Sequence, residues 1–244
     1  MTLRLSLTAG KALEGLVVGA AGAALGWSMG AFLHPLLAAA IGLVAAVNGL
    51  ISGWRGIYSW RQWRGVVAFV LDSTWATMPV GLGMVAHVVG SKGGGYEPTL
   101  SHRQNRHVYR SGVHFQAGFA LTIGNVISSA GDVSRERRRK LITDHEGVHV
   151  WQARWFGPAY LPLYGLWAAA GALGGVALWW RRGRKEPIGT MIEACSYYLN
   201  PFEWWAYSRD DLWPPPGLVM GVGWRKPAVR PLAAVRARRH ADGD

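Results

Sequence analysis

The sequence predicts a mainly α-helical membrane protein. Two to four apolar helices are joined to a small α+β unit, in which a short β-hairpin or sheet precedes one polar, ligand-bearing helix. Three observations carry this. Half of the 244 residues are hydrophobic, yet the mean hydropathy is only +0.10, the balance of a chain partly in lipid and partly in water. Fourteen tryptophans, many beside arginine, match the composition of a membrane–water interface. One stretch, Asp144–Gln152 (DHEGVHVWQ), places two histidines and an acid within a single helical turn.

Lys and Arg number 26 against 14 Asp and Glu, a net charge of +12. Next to long apolar runs, that excess points to anionic lipid head groups as partners. No nucleic-acid-binding motif is present. The lone Cys195 excludes an internal disulfide.

Residues 1–90 read as membrane helices. The start, MTLRLSLTAGK, is too polar for a signal peptide, and the apolar run behind it is too long for one. Ala12–Leu33 is the first span. Gly15, Gly19, Gly22, Gly26 and Gly30 recur every three or four residues, so they share one face. Small residues there let another helix approach closely in lipid, as in a homo-oligomer, unless they reflect only the general frequency of glycine in membrane helices. His34-Pro35 is a turn, and Leu36–Ser52 is the second span. Arg55, Arg61 and Arg64 then alternate with Trp54, Tyr58, Trp60 and Trp63, an interfacial belt that retains positive charge. With Arg4 and Lys11 at the start and no Lys or Arg near His34, the N-terminus and this belt belong on the cytoplasmic side.

Val66–Val89 is the third apolar stretch. It carries Asp72, which costs about 2.5–3.5 kcal/mol at a helix centre and is offset by about ten residues worth roughly 0.3–0.6 each. An acid there either orients a metal-bound histidine from behind or is bonded locally to Thr74 or Trp75.

Residues 91–213 read as the metal-binding unit. Asn105–Arg110 and Val113–Leu121 are expected as two strands around Ser111-Gly112, with Phe115, Ala117, Phe119 and Leu121 alternating, and Asn125–Ser129 extending the sheet. A strand edge beside the polar helix can hold an extended peptide. His102, His107 and His114 read as ordinary surface or core histidines. Arg135–Lys140 (RERRRK) opens the next helix with positive charge, against the helix dipole, and anionic lipid or solvent would offset it.

That helix runs through Ser134–Trp155, with Asp132 or Ser134 as its cap and Gly157-Pro158 as its stop. Positions i and i+4 share a helix face, so His145 and His149 can hold one Zn²⁺. Glu146 can take the proton of a water that the ion has acidified. Gln152 lies two turns beyond His145 and lines the same face. A catalytic zinc needs a third protein ligand. Downstream acids before the tail are Glu186, Glu193, Glu203, Asp210 and Asp211, and Glu203 lies in the first turn of a helix started by Asn200-Pro201.

The pattern His145-Glu146-x-x-His149, followed 54 residues later by Glu203 in a Glu-x-x-Ala-Tyr setting, resembles the gluzincin metallopeptidases. It is most similar to small, membrane-associated bacterial members of the zincin group. The resemblance covers about Asn105–Tyr207. It implies a zincin-like catalytic unit, Zn²⁺ as cofactor, His145, His149 and Glu203 as ligands and Glu146 as general base, with Glu193 the rival third ligand. It also implies a bacterial plasma membrane. The chain departs from the pattern at Tyr207, where an Asp is usual. Asp72 or Asp210 could substitute for that acid, and Tyr197, Tyr198 or Tyr207 could steady an oxyanion.

The expected function is therefore a zinc-dependent, membrane-associated peptidase acting on a protein or peptide near the bilayer. The alternatives are a non-enzymatic membrane scaffold or assembly protein with a structural or vestigial metal site, and a lipid-surface binding protein. Ala159–Trp180 is another apolar stretch, expected as a hairpin or an interfacial helix bent at Gly171, Gly174 or Gly175. A single crossing would separate the histidines from Glu203. The site is expected on the cytoplasmic face. The tail, 214–244, is basic, rich in proline and expected to be disordered.

Overall fold

The structure is a computed structural model that describes residues 2–93, 95–114 and 118–210. The tail expected at 214–244, and Phe115 and Ala117 of the expected strand, lie outside the described residues. The chain divides into two compact units, Met1–Tyr160 and Leu161 onward. Residues 91–160 thus fold with the first helices and not apart from them.

In the first unit, α1 (Thr2–Ala31) and α2 (Pro35–Arg55) form an antiparallel pair. His34 caps α2: its Nδ1 accepts from Leu36 N–H at 3.2 Å, and Pro35 takes the first turn. All five glycines of the α1 face lie against α2. A Cβ on Gly30 would stand 2.5 Å from Ala38, and one on Gly49 of α2 would stand 2.6 Å from the Val18 carbonyl. The glycine face is taken up inside the chain, where it lets two backbones touch. The two helices expose large apolar residues outward, including Leu13, Leu16, Val17, Leu36 and Leu43. Leu7–Ala31 and Pro35–Arg55 are each long and apolar enough to cross a membrane, as is a part of the helical run Glu136–Arg181.

The third apolar stretch is not one helix. It breaks into α3 (Trp63–Ser73) and α4 (Thr77–Lys92), bent by 90°. Asp72, at the end of α3, is fully buried. It bonds neither Thr74 nor Trp75, and it does not orient a histidine. Its carboxylate takes both prongs of Arg154, with Nε to Oδ1 and Nη2 to Oδ2 each at 2.8 Å. Tyr58 O–H donates to Oδ2 at 3.0 Å, and Asn125 reaches it at 3.4 Å. Arg154 Nη2 also donates to the Asn105 carbonyl at 2.5 Å. From Asn125 the network runs through Asn48 to Ser52, and from Ser52 to His107 Nε2 at 3.0 Å. Tyr58 therefore leaves the expected aromatic belt for the core, while Trp54, Trp60 and Trp63 stay exposed.

After α5 (Pro98–Ser101) comes a three-stranded sheet of β1 (His107–Val108), β2 (Leu121–Ile123) and β3 (Val126–Ser128), in the order β1-β3-β2. The hairpin expected at Ser111-Gly112 is instead β2–β3. Its two-residue turn is Gly124-Asn125, with Gly124 at φ +58°, the first central position of a tight turn where glycine is preferred. A Cβ there would also strike the Pro79 carbonyl at 2.4 Å, so the turn seats on α4. β1 pairs with β3 in parallel, and 113–114 and 118–120 are not strand.

The ligand-bearing helix has three parts: α6 (Glu136–Lys140), a π-helical turn (Leu141–His145) and α7 (Glu146–Phe156). Arg135 occupies the cap position without a side-chain cap bond, while Asp132 accepts from Ser134 N–H and O–H one step earlier. The basic start is balanced by carbonyls and not only by lipid or solvent. Arg138 donates to Ala130, Gly118 and Ser129 carbonyls at 2.5, 3.0 and 2.8 Å, and Arg135 pairs with Asp132. Gly157 ends α7 at φ +51°.

In the second unit, α8 (Tyr160–Arg181) is one unbroken helix. The chain turns after it and returns as α9 (Ile188–Glu193), a π-helical turn (Ala194–Tyr198) and α10 (Pro201–Asp210). Gly171 and Gly175 do not bend α8. They admit the returning chain: added Cβ atoms would lie 2.4 Å from the Cys195 carbonyl and 2.6 Å from that of Met191. Asn200 starts α10, its Oδ1 accepting from Phe202 N–H at 3.1 Å.

Two outcomes follow. Removing one partner of a buried ion pair costs about 3–5 kcal/mol, so Asp72→Leu or Arg154→Met should lower thermal stability in detergent by that order. The double substitution should lose less than the sum of the two. Burial, followed by the nearby positive charges, holds His107 well below its ordinary value. The unfolded chain therefore binds a proton near pH 6.5 that the folded chain refuses. Stability should be full above pH 6.5 and fall by about 1.4 kcal/mol per pH unit below it, as read from unfolding midpoints, and His107→Gln should flatten that slope.

Candidate metal centre

His145 closes the π-helical turn and His149 lies one turn into α7, so both imidazoles point the same way. Their Nε2 atoms are 3.2 Å apart, and both residues are buried. The opposite nitrogen of His149, Nδ1, faces Gln152 Oε1 at 2.8 Å and Tyr160 O at 3.3 Å. An amide oxygen only accepts, so Nδ1 carries the proton and Nε2 presents a lone pair. Gln152 thus fixes the tautomer of His149, a more specific task than lining a cleft.

Glu146 turns to the neighbouring side. Thr122, in the middle of β2, donates its O–H to Glu146 Oε2 at 2.6 Å. A buried carboxylate is held there in one rotamer by a rigid sheet.

Glu203 sits in the first turn of α10 and is buried. Tyr164 O–H donates to its Oε1 at 2.8 Å, and the Tyr164 ring stacks on Phe202. Tyr164 is near the start of α8, so the return through α9 carries Glu203 back to that end of the helix. His145, His149 and Glu203 form a buried group whose ligand atoms all lie within 4.8 Å of one another, and this triad could hold a metal ion.

The other expected residues fall elsewhere. Glu193 is exposed at the end of α9. Tyr207 is buried against Tyr198 in the aromatic core of the second unit. Burial, and then the Glu203 charge, push the Tyr197 hydroxyl well above its ordinary value, so it remains a neutral donor. Asp72 serves Arg154, five residues beyond His149. Sequence reasoning missed Thr122, Tyr160 and Tyr164. The two tyrosines are spaced i, i+4 at the start of α8 and share a face, a visible signal that the apolar composition of the stretch obscured.

The geometry makes the metal site testable. Purified protein loaded with zinc should retain close to one ion per chain, and His149→Ala or Glu203→Ala far less, while Glu193→Ala retains it. Gln152→Leu should weaken affinity about 10–100-fold, the usual cost of losing the partner behind a ligand histidine. Elemental analysis and competitive chelation measure both.

Comparison of the chain with protein-family models, with curated proteins and with solved structures finds no match in any of the three.

Proposed function

We propose that the protein is a membrane-inserted zinc peptidase of the HExxH type, with His145, His149 and Glu203 as ligands and Glu146 as general base. The observation that carries this reading is the pairing of a His-His-Glu group with a separate, sheet-held carboxylate. Two histidines and a glutamate are a donor set of catalytic zinc, and zinc–nitrogen bonds of about 2.0–2.1 Å in a tetrahedron set the nitrogens roughly 3.3 Å apart. The Nε2 atoms stand at 3.2 Å. A structural site would not need Glu146, buried and aimed by Thr122, beside the ligands.

The ion, when bound, supplies Lewis acidity that polarises a carbonyl and lowers the pKa of a water to about 7. Glu146, fixed by Thr122, would accept a proton from the attacking water as the water oxygen bonds to the carbonyl carbon. It then delivers the proton to the departing amide nitrogen as the C–N bond breaks. Thr122 keeps the receiving oxygen in place. Tyr164 holds Oε1 of Glu203 and Gln152 holds the His149 ring, so little reorganisation is required. Tyr160 and Tyr164, one turn apart on α8, meet His149 and Glu203 respectively.

Insertion through α1, α2 and α8 follows from their length and exposed apolar faces. The arginine-rich loop 55–64 and the N-terminus lie on the cytoplasmic side by the distribution of positive charge.

Glu146→Gln should keep the zinc and lose at least about 100-fold in hydrolysis of unstructured peptides. Thr122→Val should keep the zinc and lower kcat more than it changes KM. Equal turnover in the wild type and Glu146→Gln would sink the peptidase reading in favour of a metal-stabilised scaffold.

A further inference from the structure

Beside the ligand-bearing helix is a cleft of roughly 750 Å³, lined by Arg110, Arg135, Arg137 and Arg138 with His114 and Phe119. Four guanidinium groups face it against one lining carboxylate, Asp132, which pairs with Arg135 at 3.3 Å. Arg110 is in addition ion-paired with Glu97. Arg138 is tied to three carbonyls, those of Gly118 and Ser129 in the cleft's own wall and that of Ala130 between Ser129 and Gly131. That fixes its charge in place without neutralising it.

The cleft ends at Phe119, two residues before β2, the strand that holds Glu146 through Thr122. β2 is one of the two edge strands of the sheet, and its tight turn pairs Ile123 with Val126 and Leu121 with Ser128. By the alternation of an antiparallel ladder, Thr122 turns its N–H and C=O away from β3. An extended chain added there runs past Glu146, which Thr122 holds. Phe119, outside the strand, precedes Thr122 by three residues, at most about 11 Å of chain. Arg138 is also near enough to Glu146 for their charges to interact.

We propose that this cleft is a specificity subsite for an acidic group of the peptide, a Glu or Asp side chain or a terminal carboxylate, about three residues from the bond cleaved. The inference rests on the peptidase reading for the position of that bond. Arginine forks match carboxylates in shape and charge. A concave site close to the end of an edge strand suits an extended peptide. A lipid surface would instead need large apolar side chains around the arginines, and among the lining residues only Phe119 and Leu141 are large and apolar.

The experiment uses the zinc-loaded full chain in detergent and blocked octapeptides in which one Glu is moved through the sequence, each with a Gln twin. Wild type should cleave the best Glu peptide at least 10-fold faster in kcat/KM than its twin, with Glu about three residues from the cut. In Arg135→Gln/Arg137→Gln, and separately in Arg110→Gln, the Glu-to-Gln ratio should fall toward one. Binding of the same pairs to Glu146→Gln, followed by tryptophan fluorescence, should show the same preference and the same loss. Cleavage without a Glu preference overturns the subsite and leaves the peptidase standing. A Glu preference in binding with no hydrolysis by the wild type leaves the acidic-peptide site standing and removes the peptidase. Loss of binding to vesicles of phosphatidylglycerol and phosphatidylcholine in the arginine variants, with no peptide preference, makes the cleft a lipid head-group site and overturns the proposal.

Discussion

The buried pair of Asp72 and Arg154 is the interaction on which the first unit depends. Both side chains are out of water, and each would be costly alone. Tyr58 and Asn125 bond the carboxylate and the Asn105 carbonyl bonds Arg154 Nη2, so of the five guanidinium N–H groups those on Nη1 alone lack a hydrogen-bond acceptor. Those partners come from the segment after α2, the β-turn and the segment before β1. One ion pair therefore draws an apolar helix, a sheet and the ligand-bearing helix together. Arg154 lies five residues after His149, roughly 140° around the helix. The helix is anchored on one face and presents its histidines on another, so anchoring leaves both imidazoles clear.

Much of this was legible wherever the information was local. The glycine spacing of α1, the His34-Pro35 start of α2 and the Asn200-Pro201 start of α10 are short-range rules, and each element begins close to where those rules place it. The spacing of His145 and His149 needs only the pitch of a helix. What the sequence concealed depends on partners distant along the chain. Asp72 reads as an anomaly until Arg154, 82 positions later, is brought to it. The strand order hides because Ser111-Gly112 and Gly124-Asn125 are comparable turn signals, and the seat that Pro79 offers Gly124 is a tertiary fact. The glycines of α8 read as points of bending because nothing nearby reveals the chain that packs on them.

The second unit resolves a conflict visible in the sequence. A helix as long and apolar as α8, crossing a bilayer once, would carry whatever follows it to the far side. Because α9 and the π-helical turn run back along its glycine face, the segment is a helical hairpin made of two unequal arms. Glu203 ends at the Tyr164 end of α8, where the chain first entered it. The apolar length of α8 and the position of Glu203 are then compatible.

The π-helical turn at Leu141–His145 separates the arginine-bearing start of the helix from its histidines. Such a turn holds one residue more than an α-helix would. The wider turn absorbs that residue, so removing it would restore an ordinary α-turn and leave the faces before and after it close to their present phase. A residue removed from within α7 has no such turn to absorb it and would swing the faces on its two sides by about 100° against each other. The same one-residue deletion is therefore mild in Leu141–His145 and disruptive a few positions later.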